Sequence, residues 1–150
     1  MPKTSRQPVP KNILIVEDSP DFASLLKFIV EDDGYEGVIF PLDTANIVEW
    51  VRERKPAAVL MDLTLRRKSG MDYIEELKGD HDTKHTPILI ITGRDLAQRE
   101  VVALQLRDIS YIRKGRVELD EIRTLIRKVA GYTPPRASGA KARGGASERS

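Results

Sequence analysis

Acidic residues stand directly after two of the apolar runs in this sequence. Glu17 and Asp18 follow the run at residues 12–16, and Asp62 follows the run at residues 57–61. If the two runs are neighbouring strands, the three carboxylates lie within a few ångströms of one another. Two unit charges about 4 Å apart repel by roughly 4 kcal/mol at an effective dielectric constant near 20, so such a cluster either raises a pKa or binds a cation. Hard oxygen ligands that fill part of a coordination shell favour Mg²⁺.

A hydroxyl and an amine follow two further apolar runs. Thr92 closes the run at residues 88–91, and Lys114 stands just beyond the run at residues 109–112. A threonine hydroxyl can donate a hydrogen bond to a phosphoryl oxygen, and lysine neutralises anionic charge. An aspartate surrounded by a cation, a lysine and a hydroxyl is equipped to accept a phosphoryl group. One such residue alone would be typical of a turn or a helix cap, but the full set at strand ends favours a reactive site.

The segments around these residues predict five strands alternating with five helices. Apolar runs typical of buried strands occupy residues 12–16, 57–61 and 88–91, and shorter or less apolar segments at 37–40 and 109–112 predict two further strands. After each of them, apolar residues recur at helical spacing. Ser19 and Pro20 are typical of the start of the first helix, and Gly34 is typical of its end. Asp43 or Thr44 is predicted to cap the second helix.

This alternation implies parallel βαβ units with right-handed crossovers. We therefore predict an α/β fold with a doubly wound, five-stranded parallel sheet in the order 2-1-3-4-5, a flavodoxin-like (βα)5 arrangement. Ligands of such sheets bind beyond the carboxyl ends of the strands, where the chain reverses its direction across the sheet. The acids, the hydroxyl and the lysine are all expected at that edge.

The charges divide the chain into three parts. Residues 1–11 hold three basic residues and no acid, and residues 132–150 hold four basic residues and one acid. We predict a basic N-terminal arm at 1–11, a folded domain with net charge −4 at 12–131, and a disordered basic tail at 132–150. The absence of cysteine excludes disulfides and thiol chemistry. No apolar run approaches the ~18 residues of a membrane span, and no secretory signal is present, so a cytoplasmic location is expected.

Four segments carry a resemblance to a known family: ILIVEDSPD, VLMDLTLRRKSGMDYIEEL, PILIITGRD and YIRKG. From Asn12 to about Gly131 the chain resembles the receiver domain of bacterial two-component response regulators. The resemblance implies that Asp62 is the phosphoacceptor and that Lys114 contacts the acyl phosphate. It also implies Mg²⁺ as the cofactor, held by the side chains of Glu17, Asp18 and Asp62 and by the backbone carbonyl of Thr64.

The same resemblance implies a switch and a set of partners. Thr92 matches the switch hydroxyl that turns towards the phosphoryl group, and Tyr111 matches the aromatic residue that swings inward with it. The implied function is that of a stand-alone response regulator receiver, without an output or DNA-binding domain, in two-component signalling or a phosphorelay. Its expected donor is a sensor histidine kinase or a histidine phosphotransfer protein. Its expected target is a protein bound by the face from the fourth to the fifth helix, with homodimerisation left open.

Four alternatives to this interpretation belong to other functional classes. A receiver-like module could bind a protein partner without being phosphorylated, which the intact acids, Thr92 and Lys114 argue against. A phosphatase of the haloacid dehalogenase type would need a second aspartate two residues after its nucleophile, where this chain has Thr64. Flavodoxins and dinucleotide-binding proteins need a phosphate-binding loop after the first strand, where Glu17 and Asp18 would repel a phosphate. We expect a signalling domain that catalyses at most its own phosphorylation and dephosphorylation.

Three positions depart from the family pattern. Gly115 stands where proline usually follows the lysine, and because a cis bond before a non-proline residue costs about 2.5–4 kcal/mol, we expect a trans bond there. Arg66 stands where proline is common after the phosphoacceptor, and it opens the basic triplet Arg66–Lys68. This triplet could attract an anionic donor or a kinase, although a solvated loop is the simpler interpretation. Residues 106–109 replace the usual Gly-Ala pair before the fifth strand.

Overall fold

The computed structural model describes residues 11–116 and 118–131. Strands and helices alternate along this part of the chain: β1 (Asn12–Val16), α1 (Pro20–Asp32), β2 (Glu36–Ile39), α2 (Ile47–Arg54), β3 (Ala58–Met61), α3 (Gly70–Lys78), β4 (Ile88–Thr92), α4 (Gln98–Leu106), β5 (Ser110–Arg113) and α5 (Leu119–Ala130). The predicted basic tail, and the predicted arm apart from Lys11, lie outside the described residues. None of the helices in the described part is long and apolar enough to cross a membrane.

The five strands form one parallel sheet in the order β2-β1-β3-β4-β5, which confirms the predicted fold class. β1 pairs with β2 on one side and with β3 on the other, so that Ile15 lies between Ile39 and Leu60. The chain reverses its direction across the sheet between β1 and β3. The residues that follow these two strands therefore face one crevice at the carboxyl edge of the sheet.

The core has two layers because successive strand residues point to opposite faces of the sheet. One face packs against α2, α3 and α4 and is built on Leu14, Val16, Val59, Met61 and Ile90 with Val51, Leu77 and Leu104. The other face packs against α1 and α5 and is built on Ile13, Ile15, Leu60, Leu89 and Ile91 with Leu26, Ile29, Ile122 and Ile126. Burial on both faces explains why these strands appear in the sequence as continuous apolar runs.

Of the two helix starts whose caps the sequence predicts, one is confirmed and one is wrong. The Ser19 side chain accepts a hydrogen bond from the Phe22 N–H at 3.4 Å, and Pro20 is the first residue of α1, as predicted. The prediction that Asp43 or Thr44 caps α2 is wrong, because both residues belong to a turn. Asn46 caps α2 instead, and its side chain accepts from the Glu49 N–H at 3.0 Å. Asparagine is as effective in this role as aspartate.

The predicted strand limits are correct to about one residue. β2 is Glu36–Ile39 rather than 37–40, and β5 is Ser110–Arg113 rather than 109–112. β4 extends to Thr92, so the switch hydroxyl implied by the family lies on the last residue of a strand. The end of a strand moves by one residue according to whether the last hydrogen bond to its neighbour forms. The centres of the apolar runs are not affected in this way.

Candidate functional site

Three carboxylates meet at the carboxyl ends of β1 and β3. The Asp62 N–H donates to the Val16 carbonyl at 3.1 Å, which extends the β1–β3 pairing by one step and places Asp62 beside Glu17. Glu17, Asp18 and Asp62 each offer one oxygen within 4.8 Å of the others. Glu17 and Asp62 are buried, at 5% and 6% exposure, and Asp18 is partly buried. The predicted juxtaposition of these acids is present in the structure.

Lys114 brings a positive charge into this cluster. Its N–H donates to the Thr92 carbonyl at 2.8 Å, so the β4–β5 pairing continues one residue beyond β5. The Nζ atom then lies 2.8 Å from Glu17 Oε1 and 3.1 Å from Asp62 Oδ2. Burial on its own lowers the pKa of Lys114, but the hydrogen bond that Lys114 donates to Glu17 and the charge of Asp62 outweigh it, and the pKa is raised. Lys114 is therefore a persistent cation in the site.

Phe22 supports the amine from the side of α1. The Lys114 Nζ atom lies 4.4 Å from the centre of the Phe22 ring, within the range of a cation–π contact. The sequence indicated Phe22 only as an apolar position of the first helix. No feature of the sequence alone distinguishes it from other apolar positions of α1, because the contact forms only when the fold brings the start of α1 and the Lys114 side chain to the same edge of the sheet.

Thr92 and Tyr111 occupy very different surroundings. Thr92 is fully buried, and among the described residues its hydroxyl Oγ1 has no hydrogen-bond partner. Tyr111 pairs with Ile90 across the sheet, and its side chain is 38% exposed at the outer strand β5. An orphaned buried hydroxyl is costly, so Thr92 holds an unused hydrogen-bond donor in the interior.

Both oxygens of the Asp62 carboxylate have partners. Oδ2 faces Lys114, and Oδ1 accepts a hydrogen bond from the Thr64 N–H at 3.1 Å. These two donors fix the orientation of the carboxylate. The Thr64 N–H belongs to the loop that follows β3, which is the segment predicted to supply a backbone carbonyl to Mg²⁺.

Arg94 ties this loop to the next one, a contact that the sequence did not predict. Arg94 Nε donates to the Thr64 hydroxyl at 2.9 Å, and its terminal nitrogens lie 2.9 and 2.7 Å from the two carboxylate oxygens of Glu100. Glu100 also accepts from the Ala97 N–H at the start of α4. The hydrogen bond from Arg94 and that from Ala97 lower the pKa of Glu100 to about 2. Glu100 is the third residue of α4, a position where glutamate often caps a helix start, so the sequence could have indicated the cap but not the partner.

The basic triplet 66–68 is paired with acids rather than free in solution. The Arg66 N–H donates to Asp18 Oδ2 at 3.0 Å, and its Nε lies 3.6 Å from the same oxygen. Arg67 Nε lies 3.4 Å from Asp43 Oδ1, and Lys68 forms an ion pair with Glu76. Only the first of these contacts reaches the carboxylate cluster.

Three glycines near the cluster differ in how much space they have. A Cβ atom at Gly70 would lie 2.4 Å from the Asp62 carbonyl oxygen and 2.8 Å from Leu63 Cα, so only glycine fits there. At Gly93 a Cβ atom would make only an ordinary 3.7 Å contact with Lys114 Cδ. Gly115 has φ +77°, and the described residues contain no cis peptide bond, which confirms the expected trans bond.

Comparison with known proteins identifies the family of this arrangement. The sequence profile of the response regulator receiver domain matches residues 13–127. The polar-differentiation response regulator DivK of Brucella anthropi is 32% identical over 85 residues, which cover 57% of this chain and 68% of that protein. A protein-glutamate methylesterase/protein-glutamine glutaminase of Paramagnetospirillum magneticum is 30% identical over 142 residues, covering 89% of this chain but only 39% of the relative.

Solved structures show the same fold. The receiver domain of a sensor histidine kinase from Pseudomonas aeruginosa, with a magnesium ion coordinated in its active-site cleft, superimposes with a TM-score of 0.67. The two sequences are 21% identical, and the alignment covers 83% of this chain and all of that domain. At this identity the likeness establishes the fold.

Proposed function

This chain belongs to the response regulator receiver family, a family of signalling domains, and on that premise we propose that Asp62 accepts a phosphoryl group from a phosphohistidine donor. The observation that carries the proposal is the surroundings of the Asp62 carboxylate. It is buried, oriented by the Thr64 N–H, and held 3.1 Å from the cation of Lys114. A carboxylate placed in this way is a preorganised nucleophile next to a charge that stabilises phosphoryl oxygens.

The carboxylate cluster fits a divalent cation. Its donor set is hard oxygen from Glu17, Asp18 and Asp62, with ligand atoms close enough to share one ion. We propose that these side chains and the Thr64 backbone carbonyl hold Mg²⁺. When bound, Mg²⁺ supplies positive charge that balances the phosphoryl oxygens. The magnesium-bound Pseudomonas receiver domain supports this assignment by its fold.

The proposed step is a phosphoryl transfer in which one bond replaces another. An oxygen of Asp62 attacks phosphorus, the P–N bond of the phosphohistidine breaks, and the imidazole leaves with the bonding electron pair. Lys114 keeps its proton in this proposed step and balances the charge of the phosphoryl oxygens. In this step the protein orients Asp62 and surrounds the transferred group with positive charge.

The signal is proposed to leave the site through Thr92 and β5. The buried Thr92 hydroxyl, which has no partner among the described residues, gains an acceptor when Asp62 carries a phosphoryl group. We propose that its turn towards this group draws in the exposed ring of Tyr111 and alters the face formed by α4, β5 and α5. Exposed apolar side chains on this face fit a protein partner: Val102, Leu106, Tyr111 and Leu119.

A small phosphodonor tests the proposal without a cognate kinase. The protein is incubated with acetyl phosphate and Mg²⁺, and its intact mass is measured. We expect the mass of one phosphoryl group on the wild type and on Asp43→Asn, a control in a neighbouring loop, and none on Asp62→Asn. An unlabelled wild type, under conditions that label a known receiver, would favour a module that binds its partner without phosphorylation. If the wild type is labelled, transfer from the sensor kinases of the same organism would identify the donor.

A further inference from the structure

The chain supplies its own cations to the carboxylate cluster, and it divides them between the acids. Lys114 Nζ forms ion pairs with Glu17 Oε1 and Asp62 Oδ2, at 2.8 and 3.1 Å. Arg66 forms the ion pair with Asp18. The three carboxylates and two basic groups leave a net charge of about −1, whereas the acids with Lys114 alone would carry −2. A divalent ion approaching the cluster therefore meets a weaker attraction when Arg66 is in place.

Arg66 makes two different contacts with Asp18. Its backbone N–H donates to Oδ2 at 3.0 Å, which fixes the carboxylate without occupying the other oxygen. Its guanidinium Nε lies 3.6 Å from the same oxygen and contributes charge rather than a strong hydrogen bond. The side chain is 80% exposed, so it can swing into solvent without disturbing the core. A proline, common at this position in the family, would provide neither contact.

We propose that the Arg66 side chain is a built-in counter-ion of Asp18 that competes with Mg²⁺ and weakens Mg²⁺ binding by this chain. The inference rests on the proposed function, because it concerns the same three carboxylates. Binding of the divalent ion at Asp18 displaces the guanidinium, while the backbone N–H stays in place and holds the carboxylate. Arg66 thereby raises the Mg²⁺ concentration that is needed to occupy the site.

Arg67 provides a matched control for the charge of the loop. Its side chain is 79% exposed, nearly the same as that of Arg66, but it pairs with Asp43 at 3.4 Å instead of Asp18. Arg66→Gln and Arg67→Gln therefore remove the same charge from adjacent positions. Only Arg66→Gln removes the charge that lies beside a proposed Mg²⁺ ligand, Asp18. Arg66→Lys keeps the charge and tests whether charge is what matters.

The experiment is a calorimetric titration of the metal-free full chain with Mg²⁺. An exposed ion pair changes an equilibrium constant by up to about fivefold. We expect Arg66→Gln to lower the Mg²⁺ dissociation constant about twofold to fivefold, and Arg67→Gln and Arg66→Lys to leave it nearly unchanged. The difference between Arg66→Gln and the wild type should shrink at high salt. In the wild type, the backbone amide resonance of Arg66 should shift during the titration.

The failures of the two proposals are distinguishable. Equal effects of Arg66→Gln and Arg67→Gln would show that the charge of the whole loop matters, and would overturn the role of Arg66 alone. Unchanged or weaker Mg²⁺ binding by Arg66→Gln would overturn it as well, while leaving the proposed phosphoacceptor site intact. Absence of Mg²⁺ binding by every variant would contradict the proposed metal site and the counter-ion together.

Discussion

The Lys114 amine lies 3.1 Å from Asp62 Oδ2, although the two residues are 52 positions apart in the chain. The contact depends on two neighbouring strand pairs, because Asp62 extends β3 beside β1 and Lys114 extends β5 beside β4. The same strand, β5, carries Tyr111 on its exposed side. Only one strand, β4, therefore separates Asp62 at the end of β3 from the surface proposed to bind a partner.

Replacing Lys114 separates its structural role from its signalling role. Lys114→Ala leaves Glu17 and Asp62 buried beside each other without their cation, so we expect the free energy of unfolding to fall by about 1–3 kcal/mol. The variant should still be labelled by a phosphodonor, but the Tyr111 amide resonance should no longer respond. Urea denaturation and NMR spectra with and without the donor measure both effects.

The exposed helical pair of Lys27 and Glu31 provides the control. Lys27→Ala removes the same side chain from a solvent-screened pair. It should lower the free energy of unfolding by no more than about 0.5 kcal/mol. An equal loss in the two variants would mean that Lys114 is no more than a surface charge. A full Tyr111 response in Lys114→Ala would contradict its proposed part in the switch.

We expect the Thr92 hydroxyl to be needed for the switch response but not for the stability of the fold. Its hydroxyl is buried and has no partner among the described residues, so Thr92→Val removes an unsatisfied polar group and keeps the shape of the side chain. We expect the unfolding free energy to stay the same or to rise by about 1 kcal/mol. Labelling of Asp62 should persist while the Tyr111 response is lost.

Thr83 is the matched threonine for this comparison. It is equally buried, but its hydroxyl donates to the Leu77 carbonyl at 2.7 Å. Thr83→Val should therefore lower the unfolding free energy by about 1–2 kcal/mol. If both valine variants were destabilised alike, the Thr92 hydroxyl would have to form a hydrogen bond in solution. The prediction based on its lack of a partner would then be contradicted.

The sequence was most informative where one residue type dominates locally. Apolar runs predicted all five strands, and they were continuous for β1, β3 and β4, because strands covered on both faces must be apolar throughout. The residues at their ends then predicted the meeting of Glu17, Asp18 and Asp62, because parallel strands end at one edge of the sheet. The cap of α2 was predicted wrongly, because Asp43, Thr44 and Asn46 are all good caps and only the preceding turn selects among them.

Contacts between loops could not be predicted. Arg94 reaches Thr64, and Arg66 reaches Asp18, through the local paths of loops that no periodicity describes. A charged residue in a loop is compatible with a solvated position or with an ion pair, and the sequence does not decide between them. The roles of Thr92 and Tyr111 as a switch stay predictions, since one structure contains one arrangement of the pair.

Glycine at position 70 should be required for the position of Asp62. In Gly70→Ala the added methyl group would press on the Asp62 carbonyl oxygen and on Leu63 Cα, both of which are backbone atoms that cannot move aside easily. We expect a loss of about 2 kcal/mol or more in unfolding free energy and slower labelling of Asp62. Gly93→Ala, whose methyl group has room, should change stability by less than about 0.5 kcal/mol. The reverse order of the two losses would contradict this packing argument.

The contact between Arg94 and Glu100 predicts an acid-sensitive contribution to stability. The pKa of Glu100 is about 2 in the fold, against an ordinary value of 4.5. Its contribution is therefore complete above about pH 4.5 and is lost as the pH falls towards 2. Because Arg94 is partly exposed, we expect about 1 kcal/mol rather than the full value of such a shift.

Glu100→Gln isolates this contribution. The variant should be less stable than the wild type at pH 6, and the difference should narrow steadily as the pH is lowered to 3. Urea denaturation at a series of pH values measures it. A difference that stays constant with pH would mean that the Glu100 carboxylate is not specifically stabilised by Arg94 and the α4 cap.

The central claim is that the carboxylate of Asp62 carries the phosphoryl group. The most direct measurement is to expose the wild type to a phosphodonor with Mg²⁺, reduce the acyl phosphate with borohydride, and locate the modified residue by peptide mass spectrometry. Reduction converts a phosphorylated aspartate into homoserine, so we predict homoserine at position 62 and unchanged aspartate at position 18. Homoserine at another position, or at none in a protein that retains its fold, would contradict the account.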